Sequence, residues 1–260
     1  MNCTRRAGDV DRRYCPGCGQ PVLAPRIDWK FLANEFEHVV LNMDRGLFFT
    51  LHMLMLRPGR LIRDYLEGRR AGHVKPLWLL MVAAALVVFL TQYLPSPGNA
   101  AGEFSAGIQA GLGSGERDEA SRAMVDAFQS IGDWVQRHFA VVTLLLLPLE
   151  ALVFRLAFWR VKDLNYPEWL TIIAFLTAQV FVIWSCFIVV GHWFPVAHAA
   201  TLWVILAWMM FSLMQAFDGY PRWKTLLRGL LAYGVYMLAN FGLLVAATMI
   251  LTARSIGLAP

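Results

Sequence analysis

Apolar positions along this chain fall in long unbroken runs separated by short polar links. Five runs are long enough to cross about 30 Å of hydrocarbon as helices: Leu77–Leu94, Phe139–Trp159, Trp169–Val190, Phe194–Phe217 and Leu226–Thr252. A transmembrane β-barrel is excluded, because its strands alternate apolar and polar positions. Pro148 predicts a kink in the second span and Pro195 a helix start for the fourth. The link Gly191-His192-Trp193 is so short that the third and fourth spans form a hairpin.

Ahead of the spans the period changes. Asp28 caps a predicted helix in which Trp29, Leu32, Ala33, Phe36 and Val40 recur on one face, an amphipathic pattern suited to a membrane surface. After a break at Asn42–Gly46, Leu47–Leu56 is apolar but only ten residues long, too short to span, which predicts an interfacial or re-entrant helix. Arg57-Pro58-Gly59 closes it, and Arg60–Glu67 then places Leu61, Ile62, Tyr65 and Leu66 on one side.

Composition agrees with a membrane protein. Hydrophobic residues make up 58%, charged residues 16%, and the mean hydropathy is +0.50. The expected fold is an all-α integral membrane protein, a five-helix transmembrane bundle with a small zinc-ribbon-like head and interfacial amphipathic helices. Residues 1–26 form the head, 27–76 an amphipathic basic collar, and 77–260 the spans with a loop at 95–138.

Charge gives the orientation. Of 23 Lys and Arg, 19 lie in the head, the collar and the links at Arg155–Lys162 and Arg222–Arg228, leaving Arg117, Arg122, Arg137 and Arg254 on the other side. The positive-inside bias predicts a bacterial inner-membrane protein with a cytoplasmic N-terminus and an external C-terminus. No apolar segment follows the polar Met1–Arg13, so no signal peptide is expected. The loop 95–138 is then external; its Asp118–Arg137 half predicts a surface helix. The basic pI of about 9.2 is a topological signature, and nucleic acid is not an expected partner. Membrane lipid and an unidentified protein are, along with a second copy of the chain.

Candidate chemistry falls into three groups. Cys15-Pro16-Gly17-Cys18 offers two thiolates from one tight turn, half of a tetrahedral zinc site, and Cys3 is a third donor. Arg6 stands where a partner of Cys3 belongs. Three readings stay open: zinc completed by Asp9, Asp11 or His38, zinc shared between chains, or a knuckle that binds nothing. A disulfide is the weaker reading in a reducing compartment. Cys186 is expected to be a small buried hydrophobe.

The second group is the collar cations Arg57, Arg60, Arg63, Arg69, Arg70 and Lys75, set against Asp64 and Glu67. At about 1 kcal/mol per basic residue they would attract an anionic leaflet or an acidic partner. The third is polar residues within spans: Glu150, Gln179 and Asn240 fall near mid-span on three helices, with Arg155 nearby. They suit either a proton or cation site or hydrogen-bonded links between helices. His192 and His198, six positions apart, do not share one helical face. A lipid-modifying enzyme would place its acids at the interface, for example Glu168 at the start of the third span with Asp163. No GxSxG, P-loop, HExxH or dinucleotide fingerprint is present.

A set of short motifs carries a family resemblance: Cys15-Pro16-Gly17-Cys18-Gly19-Gln20, Asp44-Arg45-Gly46 with Thr50-Leu51, Arg57-Pro58-Gly59, Tyr65-Leu66-Glu67-Gly68-Arg69-Arg70, Lys75-Pro76-Leu77, Leu147-Pro148-Leu149 and Tyr166-Pro167-Glu168. The chain resembles the bacterial domain-of-unknown-function family 3667. The resemblance implies a short zinc ribbon joined to a multi-pass membrane region and implies no activity; Arg6 departs from the complete first CxxC of the family pattern. The expected function is a non-catalytic membrane adaptor or organiser acting through head and collar, and the alternative is a small transporter or permease component using the Glu150 level.

Overall fold

A computed structural model describes residues 28–29, 46–70, 72–94, 119–159, 161, 163–194 and 197–255. Among these the protein is helical, with no strand: α1 Leu47–Leu56, α2 Pro58–Leu66, α3 Pro76–Tyr93, α4 Glu119–Arg137, α5 Phe139–Ala157, α6 Tyr166–Trp193, α7 Ala197–Ala216 and α8 Arg222–Ser255. Four helices, α3, α5, α6 and α8, are long and apolar enough to cross a membrane. The fourth expected span forms the apolar helix α7, whose described side chains begin at Ala200 and so cover a shorter stretch.

Helix α6 is the central pillar. About 61% of its apolar window is buried, against 6% for α8, and it packs against α3, α5 and α7. Its start is fixed by a capping box, in which the Asn165 backbone N–H donates to Glu168 Oε2 at 2.7 Å, with Pro167 in the first turn. Glu168 is therefore the cap of α6. At this end Phe158, Trp169 and Phe217 bring α5, α6 and α7 together, with ring centroids 4.9–5.6 Å apart.

Pro148 sits inside α5, which continues through it. The missing N–H removes one backbone bond, and the Tyr166 hydroxyl donates to the Pro148 carbonyl at 2.7 Å. Helices α4 and α5 are separated only by His138, where backbone bonds still run from His138 N–H to Trp134 and from Val142 N–H to His138. α8 runs antiparallel beside α5. Arg228, near the start of α8, donates to the Trp159 carbonyl just past α5, and α4 packs on α8 as well. At 34 residues α8 is about 51 Å long, far more than the hydrocarbon needs. The helix expected at Asp118–Arg137 is thus present as α4, but it packs on α8, burying Val125 and Ala127, instead of lying free on a surface.

Helices α1 and α2 form a hairpin built into the bundle. Leu54, Leu61, Ile62 and Tyr65 are all at most 1% exposed and belong to the same core as the spans. Tyr65 meets Phe175 of α6 edge-on at 5.3 Å. The collar from residue 46 onward is accordingly part of the bundle. Of its amphipathic helix only Asp28 and Trp29 are described, and the Trp29 ring lies 5.7 Å from Tyr166. The head at 1–26 lies outside the described residues.

Candidate functional site

The hairpin is held at four points, each explained by a residue type. Pro58 has no N–H, so the carbonyl four residues before it, Leu54, loses its helical partner. Gln179, about 20 Å along α6 from its start, donates to that carbonyl at 2.9 Å. Its other end accepts from the Ser212 hydroxyl of α7 at 2.8 Å. Gly59 comes so close to α7 that a Cβ there would fall inside 3.0 Å of the Gln215 side chain and the Ala216 backbone, and its N–H donates to Gln215 Oε1 at 3.2 Å. At the start of α1, the buried Thr50 hydroxyl accepts from Val74 N–H at 2.9 Å. Within α2, Arg63 pairs with Asp218, just past α7, at 2.9 Å.

The end of α2 is a Schellman turn. Gly68 at φ 85° lets Gly68 N–H reach the Tyr65 carbonyl and Arg69 N–H reach the Asp64 carbonyl. The reversal folds Arg69 back on Asp64, five positions earlier, with Nε at 3.0 Å and Glu67 at 2.6 Å. The hydrogen bond that Arg69 donates to Asp64 holds the guanidinium above its ordinary pKa, and Glu67 adds to it. Arg70 donates to the Tyr65 carbonyl and lies over its ring at 5.3 Å. Arg63 holds the Asp218 carboxyl below its ordinary pKa through their hydrogen bond.

Of the six collar cations, then, Arg63, Arg69 and Arg70 are engaged within the fold. Arg57 and Arg60, at the hairpin apex, are exposed, and Lys75 is half-buried at the start of α3. Beside them His73 is partly buried against the Phe49 ring, 5.4 Å away. Its Nδ1 has no hydrogen-bond partner among the described residues. Burial lowers its pKa, while Asp64 pulls the other way.

Within the spans the three polar residues read as one level do not meet. Gln179 faces the hairpin. Glu150, 8% exposed, faces the opposite side of α6, where Thr177 approaches one carboxyl oxygen at 3.4 Å while bonding more closely, at 2.9 Å, to the Ile173 carbonyl. Tyr233 and Tyr236 of α8 lie within electrostatic reach of Glu150. Asn240, one turn beyond Tyr236, donates to its backbone carbonyl at 2.9 Å. Arg155 is exposed and makes no ion pair with Glu150 among the described residues. The hydroxyls around Glu150 escaped the sequence reading, although a tyrosine pair inside an apolar span was the available signal.

Cys186 is a correction. It is exposed on the outer stripe of α6 with Val189 and Val190, the 3–4 spacing that faces away from the bundle, and is not a buried core residue. Cys3, Cys15 and Cys18, with Asp9, Asp11 and His38, lie outside the described residues, and among the described residues no group of three metal-ligating side chains converges. His192 is exposed at the end of α6.

Residues 44–88 match the model of a family described as Protein of unknown function (DUF3667). The chain carries a DUF3667 segment. That segment is the α1–α2 hairpin, its connection and most of α3. Its motifs are now structural statements: Arg57-Pro58-Gly59 breaks the hairpin and seats it on α7, Tyr65–Arg70 closes α2, and Pro76 opens α3 in its first turn. The cysteine knuckle, Leu147-Pro148-Leu149 and Tyr166-Pro167-Glu168 lie outside the DUF3667 match. No curated protein and no solved structure matches the chain.

Proposed function

We propose that the protein is a non-catalytic organiser of the bacterial inner membrane, a five-span bundle with its N-terminus in the cytoplasm and its C-terminus outside. Its cysteine head, carrying zinc on Cys3, Cys15 and Cys18, and the free collar cations engage an acidic cytosolic partner or anionic lipid headgroups. One observation carries this reading. The DUF3667 hairpin is locked into the bundle by Gln179, Gly59, Thr50 and Arg63, yet it leaves Arg57 and Arg60 exposed at its apex. Three of the six cations are already matched internally, so the attraction rests on Arg57, Arg60 and Lys75, at about 1 kcal/mol each.

The test replaces Arg57 and Arg60 with glutamine in the full chain. Partner recovery from gently solubilised membranes, or binding of the reconstituted protein to vesicles containing phosphatidylglycerol, should fall by roughly tenfold or more for two such charges. Metal analysis of wild type against Cys15→Ser reports on the head.

The buried Glu150, with the Thr177 hydroxyl of α6 at 3.4 Å and Tyr233 and Tyr236 of α8 within electrostatic reach, favours a second reading as a small transporter component. Glu150→Gln separates the two. An organiser tolerates it, whereas loss of function with Glu150→Gln and none with the arginine pair would overturn the first reading.

A further inference from the structure

The end of the bundle opposite the hairpin carries a groove of about 360 Å³ between α3 and the α4–α5 junction, in the size range of small-molecule sites, about 300–1,000 Å³. Its walls are apolar: Val88 and Phe89 come from α3, Ala140 and Val141 from α5. Phe89 is 55% and Val141 62% exposed, so the groove opens sideways, away from the bundle. Its mouth is polar, formed by Gln92, Arg137 and His138.

The mouth lies where the apolar helices end. Gln92 is the penultimate residue of α3, and Arg137 and His138 immediately precede α5. Tyr93 and Trp134 flank the two sides, Tyr93 against Phe89 at 4.5 Å and Trp134 stacked on His138 at 4.7 Å, and Tyr and Trp are the residue types that gather at headgroup depth. The Asp133 carbonyl holds Arg137 Nε at 3.2 Å, which orients the guanidinium and leaves its Nη groups as donors. No carboxylate pairs with Arg137 among the described residues. A fixed guanidinium with a polar neighbour matches a phosphate. Apolar walls continuing about 10 Å down from Gln92 to Ala85 match an acyl chain and offer nothing to a free ion.

We propose that this groove holds an anionic phospholipid, its phosphate on Arg137 beside Gln92 and one acyl chain along Val88, Phe89 and Val141. The site lies at the far end of α3 from Arg57 and Arg60, so it is independent of any lipid held by the hairpin.

The experiment uses the full chain in nanodiscs containing photo-crosslinkable phosphatidylglycerol or phosphatidylcholine with the reactive group in the acyl chain. Peptide mapping reads labelling of segments 85–92 and 137–141, which separates this groove from the hairpin end. The phosphatidylglycerol probe should label these segments about fivefold more than the phosphatidylcholine probe, as one charge contact predicts. Arg137→Gln should equalise the probes, and Ala85→Phe, which fills the groove from an exposed position, should lower labelling by both. Equal labelling of wild type, a preference that survives Arg137→Gln, or undiminished labelling in Ala85→Phe would each overturn the proposal.

Discussion

Replacing Gln179 with leucine keeps nearly the same volume while removing the amide that closes the hairpin, so the cost is set by what its partners do next. The Ser212 hydroxyl has one proton and two acceptors in reach, Gln179 Oε1 at 2.8 Å and the Trp208 carbonyl of its own helix at 2.7 Å. Without Gln179 it keeps the second. Leu54 has no such reserve. Its helical partner position is Pro58, and it is 0% exposed, so water does not replace the amide. A buried polar group left without a partner costs about 1–3 kcal/mol. Contacts between membrane helices that have alternatives average about 0.6 kcal/mol. Gln179→Leu should therefore destabilise by about 1–3 kcal/mol and Ser212→Ala by about 0.6 kcal/mol or less, measured by SDS-titration unfolding of detergent-solubilised protein. A Gln179→Leu variant as stable as wild type, or a Ser212→Ala variant equally damaged, would refute the assignment of Gln179 as the cap of Leu54.

Gly59→Ala puts a methyl group into the α7 backbone at Gln215 and Ala216, so α2 must retreat and its N–H contact to Gln215 is lost. Overpacking of this kind costs about 1–3 kcal/mol, readable as a lower midpoint of thermal unfolding in detergent. His73 makes stability depend on pH. Desolvation holds its folded pKa below the ordinary 6.5, so the unfolded chain binds the proton more readily; stability is complete above that value and declines as pH falls through it. Comparing unfolding midpoints at pH 7.5 and 5.5 should show a drop in wild type that is smaller in His73→Phe.

Much of the architecture was legible in the sequence, because long apolar runs and a ten-residue apolar helix have few alternatives once backbone groups must be satisfied. The boundaries of α3, α5 and α6 fall within a few residues of the expected ones, and Arg57-Pro58-Gly59 ends α1 where the motif stands. What sequence spacing does not carry is which faces meet. Gln179 and Glu150 are at similar heights on neighbouring helices, but the rotation of α6 sends one to the hairpin and presents Thr177 to the other. The sequence sets Arg69 against Asp64 and Glu67 without showing that it can reach both. The reversal at Gly68 brings Arg69 onto Asp64 and Glu67 and Arg70 onto the Tyr65 carbonyl, which engages two of the six cations within the fold. Cys186 failed for a related reason: an apolar environment in sequence does not distinguish lipid from protein.

The contacts that dock the hairpin also order its assembly in time. Leu54 waits for a residue 125 positions later, Gly59 for one 156 later and Arg63 for one 155 later. As the chain emerges, α1 and α2 are complete long before α6 and α7 exist, and the Leu54 carbonyl stays open until they arrive. The first elements of the DUF3667 segment to be synthesised are thus among the last to reach their final places. Until α7 closes over Gly59, the hairpin has only the membrane surface, or whatever assists insertion, to keep its apolar faces from the wrong partner.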